Sequence, residues 1–79
     1  MYTVFISTPE DTAIAYETAA NRATALVVVE RVAAVAEVLP SSRVLTVWYV
    51  RDDNPARDFH LVETDYGRAR TAHPAGRAR

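Results

Sequence analysis

The chain has 79 residues, no cysteine, two histidines and a net charge of −1. That length means one domain; the absence of cysteine excludes disulfide staples and thiolate chemistry, and two histidines alone argue against a structural zinc site. Domains below roughly 80 residues rarely gain more than about 3–5 kcal/mol from one core, so association is the stabilising route left open.

The charge is unevenly spread. Residues 1–66 hold five arginines against all ten acidic residues, a net of −5, and residues 67–79 hold four arginines and no acid, a net of +4. No stretch approaches the roughly 20 apolar residues that span a bilayer. Met1-Tyr2-Thr3-Val4 lacks the basic and then apolar start of a secretory signal. A soluble cytoplasmic protein with no membrane contact is expected.

Residues 2–7 alternate Tyr2, Val4, Ile6 against Thr3, Phe5, Ser7, the period of a strand rich in β-formers. Thr8-Pro9-Glu10-Asp11 can begin a helix, with Thr8 as cap, or form a turn with proline second. The turn is preferred, because residues 12–18 alternate again and complete a hairpin. Between residues 19 and 39 the period changes. Ala25, Val28, Val29, Val32, Val35, Ala36 and Leu39 recur at three- and four-residue steps, the stripe of an amphipathic helix. Thr18 or Asn21 can cap it, and Pro40 with Ser41-Ser42 ends it. A smaller strip of Val27, Ala34 and Val38 reads as ordinary surface.

Residues 43–51 form a third strand, 52–57 a turn-rich loop and 58–66 a fourth strand, ended by Gly67. Residues 67–79 carry Pro74, Gly76 and no apolar period, and read as a disordered arginine-rich tail beyond a single domain at 1–66. The order predicts an α+β fold: a four-stranded antiparallel sheet (ββαββ) with one helix packed on one face.

That prediction exposes a shortage of cover. Val44, Leu45, Thr46, Val47, Trp48, Tyr49 and Val50 run uncharged, so the third strand is apolar on both faces. One helix covers one face. We assign Val4, Ile6, Ile14, Tyr16, Leu45, Val47, Tyr49, Phe59 and Leu61 to the helix side. Phe5, Val44, Trp48, Val50 and Val62, with Tyr66 as a further candidate, then face away from it. Aromatic anchors dominate binding energetics at interfaces, so this second face is expected to be a protein interface, for a homodimer or another protein.

Other chemistries fit less well. Arg68, Arg70, Arg77 and Arg79 can contact nucleic acid, the alternative function, but the acidic body opposes phosphate binding. Asp52, Asp53, Asn54 and Asp58 lack the spacing of a calcium loop and read as a solvated turn. His60 and Glu63 fall on opposite sides of one strand, no nucleophile is placed beside them, and only Gly67 and Gly76 are available for a phosphate loop. No enzyme activity, cofactor or metal is expected.

Every basic residue is arginine, and lysine and glutamine are absent, the bias of GC-rich coding. With the segments 2–6, 14–18, 23–35, 44–50 and 59–64 in ββαββ order, the chain resembles small accessory proteins of actinobacteria and their phages, including phage inhibitors of host defence. That resemblance covers most of the body and carries over no functional residue. It implies a non-enzymatic protein that occupies a surface on a host macromolecule, its acidic body suited to a basic target.

Overall fold

The computed structural model describes residues 1–64 and 70–72. Strand β1 (Tyr2–Thr8) turns into β2 (Asp11–Ala19), helix α1 (Arg22–Val38) follows, and after a short 3-10 turn (Pro40–Ser42) come β3 (Thr46–Arg51), β4 (Phe59–Glu63) and β5 (Arg70–Ala72). All pairs are antiparallel, in the order β2-β1-β3-β4-β5. The α+β fold, with its ββαββ order and one helix packed on the sheet, is as the periodicity requires.

The addition is β5. Arg70–Ala72 falls inside the segment expected to be a disordered tail, yet it pairs with Leu61, Val62 and Glu63 along the outer edge of β4. Three paired residues satisfy backbone groups that an uncovered edge leaves open, and such pairing needs no apolar pattern. Tyr66, Arg68, Arg77 and Arg79 lie outside the described residues.

The first hairpin closes on Pro9 and Glu10, with Thr8 opposite Asp11. The Asp11 amide donates to the Thr8 hydroxyl at 3.2 Å, and the Asp11 carboxylate accepts from the Ala13 amide at 3.2 Å. Further along, Ala15 pairs with Phe5 and Glu17 with Val4, so Tyr16 is an extra residue, a β-bulge.

Helix α1 starts later than its pattern suggests, because Ala19 still belongs to β2 and is buried there. Asn21 is the cap. Its backbone is extended and its side chain accepts from the Thr24 amide at 2.9 Å. Such a cap is worth about 1 kcal/mol over alanine. The helix buries Ala25, Val28, Val29, Ala33 and Ala36. Val35 and Leu39, expected in the stripe, are exposed instead. The buried stripe runs through Ala25, Val28, Val29, Ala33 and Ala36, and Val35 falls outside it. Burial of Val28 and Val29 outweighs the modest helix propensity of the valine run.

The core lies between α1 and β1, β3 and β4, around the fully buried Val4, Val29, Val47 and Tyr49. Register settles the faces. Val47 stands opposite Ile6 and Val62, and Tyr49 opposite Val4 and His60. Val62 is therefore a core residue, not an open-face one. Phe59 and Leu61, expected in the core, stand opposite Val50 and Trp48 on the other side. A one-residue offset in β4 produces this exchange. Val44 also leaves the open face. Arg43 has φ of 61°, which turns the chain just before it, and strand alternation does not reach residue 44. Val44 is buried beside Val32, Val35 and Ala36 of the helix.

One buried polar residue ties β4 to the segment before β3. Thr64 is fully buried. Its amide donates to the Leu45 carbonyl at 2.9 Å, and its hydroxyl lies between the carbonyl oxygens of Val44 and Leu45. Burial without such partners costs several kcal/mol, so this threonine fixes the path of residues 43–45.

Candidate protein interface

Odd positions of β1 and even positions of β3 point away from α1. Cross-strand register aligns them in rows. Phe5 stands opposite Trp48, and Trp48 opposite Leu61; Thr3 stands opposite Val50, and Val50 opposite Phe59. The result is one apolar patch of five side chains, Phe5, Trp48, Val50, Phe59 and Leu61, all half-buried. At its centre the Phe5 and Trp48 rings stack, centroids 5.6 Å apart and planes 14° from parallel.

The patch has polar ends. Beyond Phe5 the hydroxyls of Ser7 and Thr46 hydrogen-bond to each other. At the opposite end the Thr3 hydroxyl donates to the Asp52 carboxylate at 2.7 Å. An apolar centre with a polar rim is the anatomy of a protein interface. Of the residues singled out in the sequence, Phe5, Trp48 and Val50 come together here. Val44 and Val62 do not, and Phe59 and Leu61 take their place. Arg70 opens β5, opposite Glu63.

The reason lies in His60. A histidine between Phe59 and Leu61 reads as the outward residue of a half-buried strand. In the fold it turns toward the helix and stacks on Tyr49, centroids 5.5 Å apart and planes 11° from parallel. An aromatic ring beside the sheet makes a favourable place for a second ring, so the imidazole is taken inward and the two large apolar residues are turned out.

Around Tyr49 the helix side carries a polar network. The Arg22 guanidinium donates to the Tyr49 hydroxyl at 2.8 Å, a bond that holds the Arg22 group above its ordinary pKa. The Tyr2 ring meets Tyr49 edge to face at 5.7 Å, and its hydroxyl donates to Asp58 at 3.3 Å. Desolvation and that nearby carboxylate raise the Tyr2 phenol above its usual value. Arg51 bridges Asp53 at 2.7 Å and Asp58 at 3.4 Å, its guanidinium raised chiefly by Asp53. These carboxylates hold the β3–β4 loop against the sheet. Among the described residues no three His, Asp or Glu side chains converge as metal ligands.

A second concavity lies on the helix side. Half-open and about 290 Å³ in volume, it lies between α1 and the first hairpin and is lined by Ile6, Tyr16, Val32, Val35, Ala36 and Val44, with Arg31 and Ser42 as its polar members. Sequence reasoning missed it. It exists because the alanine-centred helix leaves the β2 edge uncovered, and Val35 and Tyr16 stand apart there.

Among the described residues no helix is long and apolar enough to cross a membrane. No protein-family model, no curated protein and no solved structure matches this chain.

Proposed function

We propose that this chain is a small, non-enzymatic protein-binding module that acts through its open sheet face and self-associates by stacking two such faces. A host protein with a basic rim is the other occupant that this chemistry suits, as for an inhibitor that covers a working surface. The observation that carries the reading is the stacked Phe5–Trp48 pair at the centre of an apolar face that α1 does not cover. Stacked sheets of this kind pack about 10 Å apart and interdigitate their inner side chains.

Magnitudes support a modest affinity. Covering a few hundred Å² of apolar surface at about 25 cal/mol per Å² contributes roughly 5–10 kcal/mol. Association costs about 4–15 kcal/mol in lost freedom. The face alone therefore gives a complex whose population falls on dilution.

The competing reading uses the arginine tail and nucleic acid. Because β5 ends at Ala72, the clean truncation removes residues 73–79 and leaves the sheet intact. The truncated chain is expected to self-associate like the full chain, measured by light scattering, with little change as salt is raised. Loss of association in the truncated chain, or steeply salt-dependent DNA or RNA binding by the full chain, would favour the tail instead.

A further inference from the structure

We infer that the outer edge of β2 is a second contact surface, and that its occupant is another copy of this chain, paired antiparallel about a two-fold axis at Ala15. This goes beyond the sheet-face reading. The edge contact lies elsewhere on the molecule and joins two sheets side by side, so that their open faces form one continuous platform.

The edge itself is the first observation. β2 ends the sheet order, and among the described residues no strand pairs with its outer side. It has nine residues, against a usual strand of about 5–6. Residues 11–18 are all exposed. Proteins protect such edges with short strands, charged side chains, proline, β-bulges or a covering element. At the far side of this sheet a three-residue strand, β5, does that work. β2 has no basic residue, no proline and, among the described residues, no covering strand; its own devices are the bulge at Tyr16 and the acids Asp11 and Glu17. It carries two large apolar side chains toward the helix side, Ile14 at 36% exposure and Tyr16 at 50%.

Side-chain pairing suits a second copy. A two-fold at Ala15 sets Ile14 of each copy opposite Tyr16 of the other, twice. Aromatic–β-branched pairs of this sort are favourable across strands. It brings no two acidic residues directly opposite each other. Moving the axis by one residue to Ile14 sets Asp11 against Glu17 twice, which like-charge repulsion opposes. Tyr16 also lines the concavity on the helix side, so paired edges bring the two concavities close together. The bulge at Tyr16 increases the local twist and interrupts the regular ladder one residue from the axis, so the contact is short and rests on the Ile14–Tyr16 side-chain pairs. Isologous pairing uses each edge once and closes, which gives a dimer contact rather than a fibre.

The test uses the absence of native cysteine. In Ala15→Cys the two new thiols sit opposite each other, with Cα atoms about 4.5–5.5 Å apart, inside the disulfide range of about 4.4–6.8 Å. Ala15 is exposed, so the variant keeps its fold, checked by circular dichroism. Mild oxidation is expected to convert Ala15→Cys to a linked dimer while Ala56→Cys, in the exposed β3–β4 loop, stays unlinked. Adding Ile14→Lys is expected to suppress linking, and adding Trp48→Ala to leave it unchanged. Linking no faster than in Ala56→Cys, or undiminished by Ile14→Lys, overturns the edge contact. Linking lost with Trp48→Ala assigns association to the sheet face alone and overturns it as well.

Discussion

Tyr49→Ala is expected to leave the chain largely unfolded at 25 °C. Tyr49 is 0% exposed at the middle of β3, between Val4 of β1 and His60 of β4. It stacks on His60, meets Tyr2 edge to face and accepts a hydrogen bond from Arg22. Removing a large buried aromatic ring costs about 3–5 kcal/mol. One core in a chain this small supplies about the same amount. The ring is thus comparable to the whole margin of stability, and the expected readout is loss of the cooperative urea transition. Tyr49→Phe separates ring from hydroxyl. It keeps the packing and loses only the acceptor for Arg22, a cost of about 1 kcal/mol, so it is expected to fold with a lower midpoint. A Tyr49→Ala chain that melts near the native temperature would place the core elsewhere.

Trp48→Ala is expected to do the opposite, to spare the fold and weaken association. Trp48 is the neighbour of Tyr49 in sequence, but it stands on the other face and is only half-buried. Its removal opens no closed cavity. At a contact surface, an aromatic anchor near the centre is typically worth 2 kcal/mol or more, roughly 30-fold or more in the dissociation constant. The far-ultraviolet circular dichroism spectrum is expected to match the native one, while the mass by light scattering falls at a concentration where the native chain is assembled. A variant that stays associated as before removes Trp48 from the interface.

The contrast between two adjacent residues also explains what the sequence revealed. Alternation in β1, the change of period at α1 and the run from Val44 to Val50 established the elements, because each depends on spacing within one segment. The open face was partly legible because β1 alternates clearly, with Phe5 between Thr3 and Ser7, and pairing with β1 sets Trp48 and Val50 on the same side. Val62, Phe59 and Leu61 were reversed because β4 has apolar residues at both parities. Which pair turns inward depends on pairing with β3, a property of two segments together. Val44 was misplaced because one positive-φ residue, Arg43, ends the alternation, and an arginine gives no warning of that. β5 was invisible because three residues paired through backbone groups carry no side-chain signature. The exposure of Val35 beside the groove at Tyr16 was not legible either, because which residues of a valine- and alanine-rich stripe face the sheet is a packing result and not a periodic one.

The sheet-face claim and the edge inference rest on separate residues, and either can fail alone. Edge pairing buries Ile14 and Tyr16 and leaves the indole as accessible as before. Face stacking buries the indole and leaves the β2 edge open. Trp48 is the chain's one tryptophan, so its fluorescence reports the face without labelling.

The most direct measurement follows that emission and its quenching by acrylamide through a dilution series, with light scattering on the same samples. Stacking of the open faces predicts a shielded, blue-shifted indole when the chain is concentrated, and a red shift with stronger quenching as the mass falls toward that of one chain. Emission and quenching that stay constant while the mass falls, or a red-shifted, readily quenched indole in the assembled chain, would contradict the central claim.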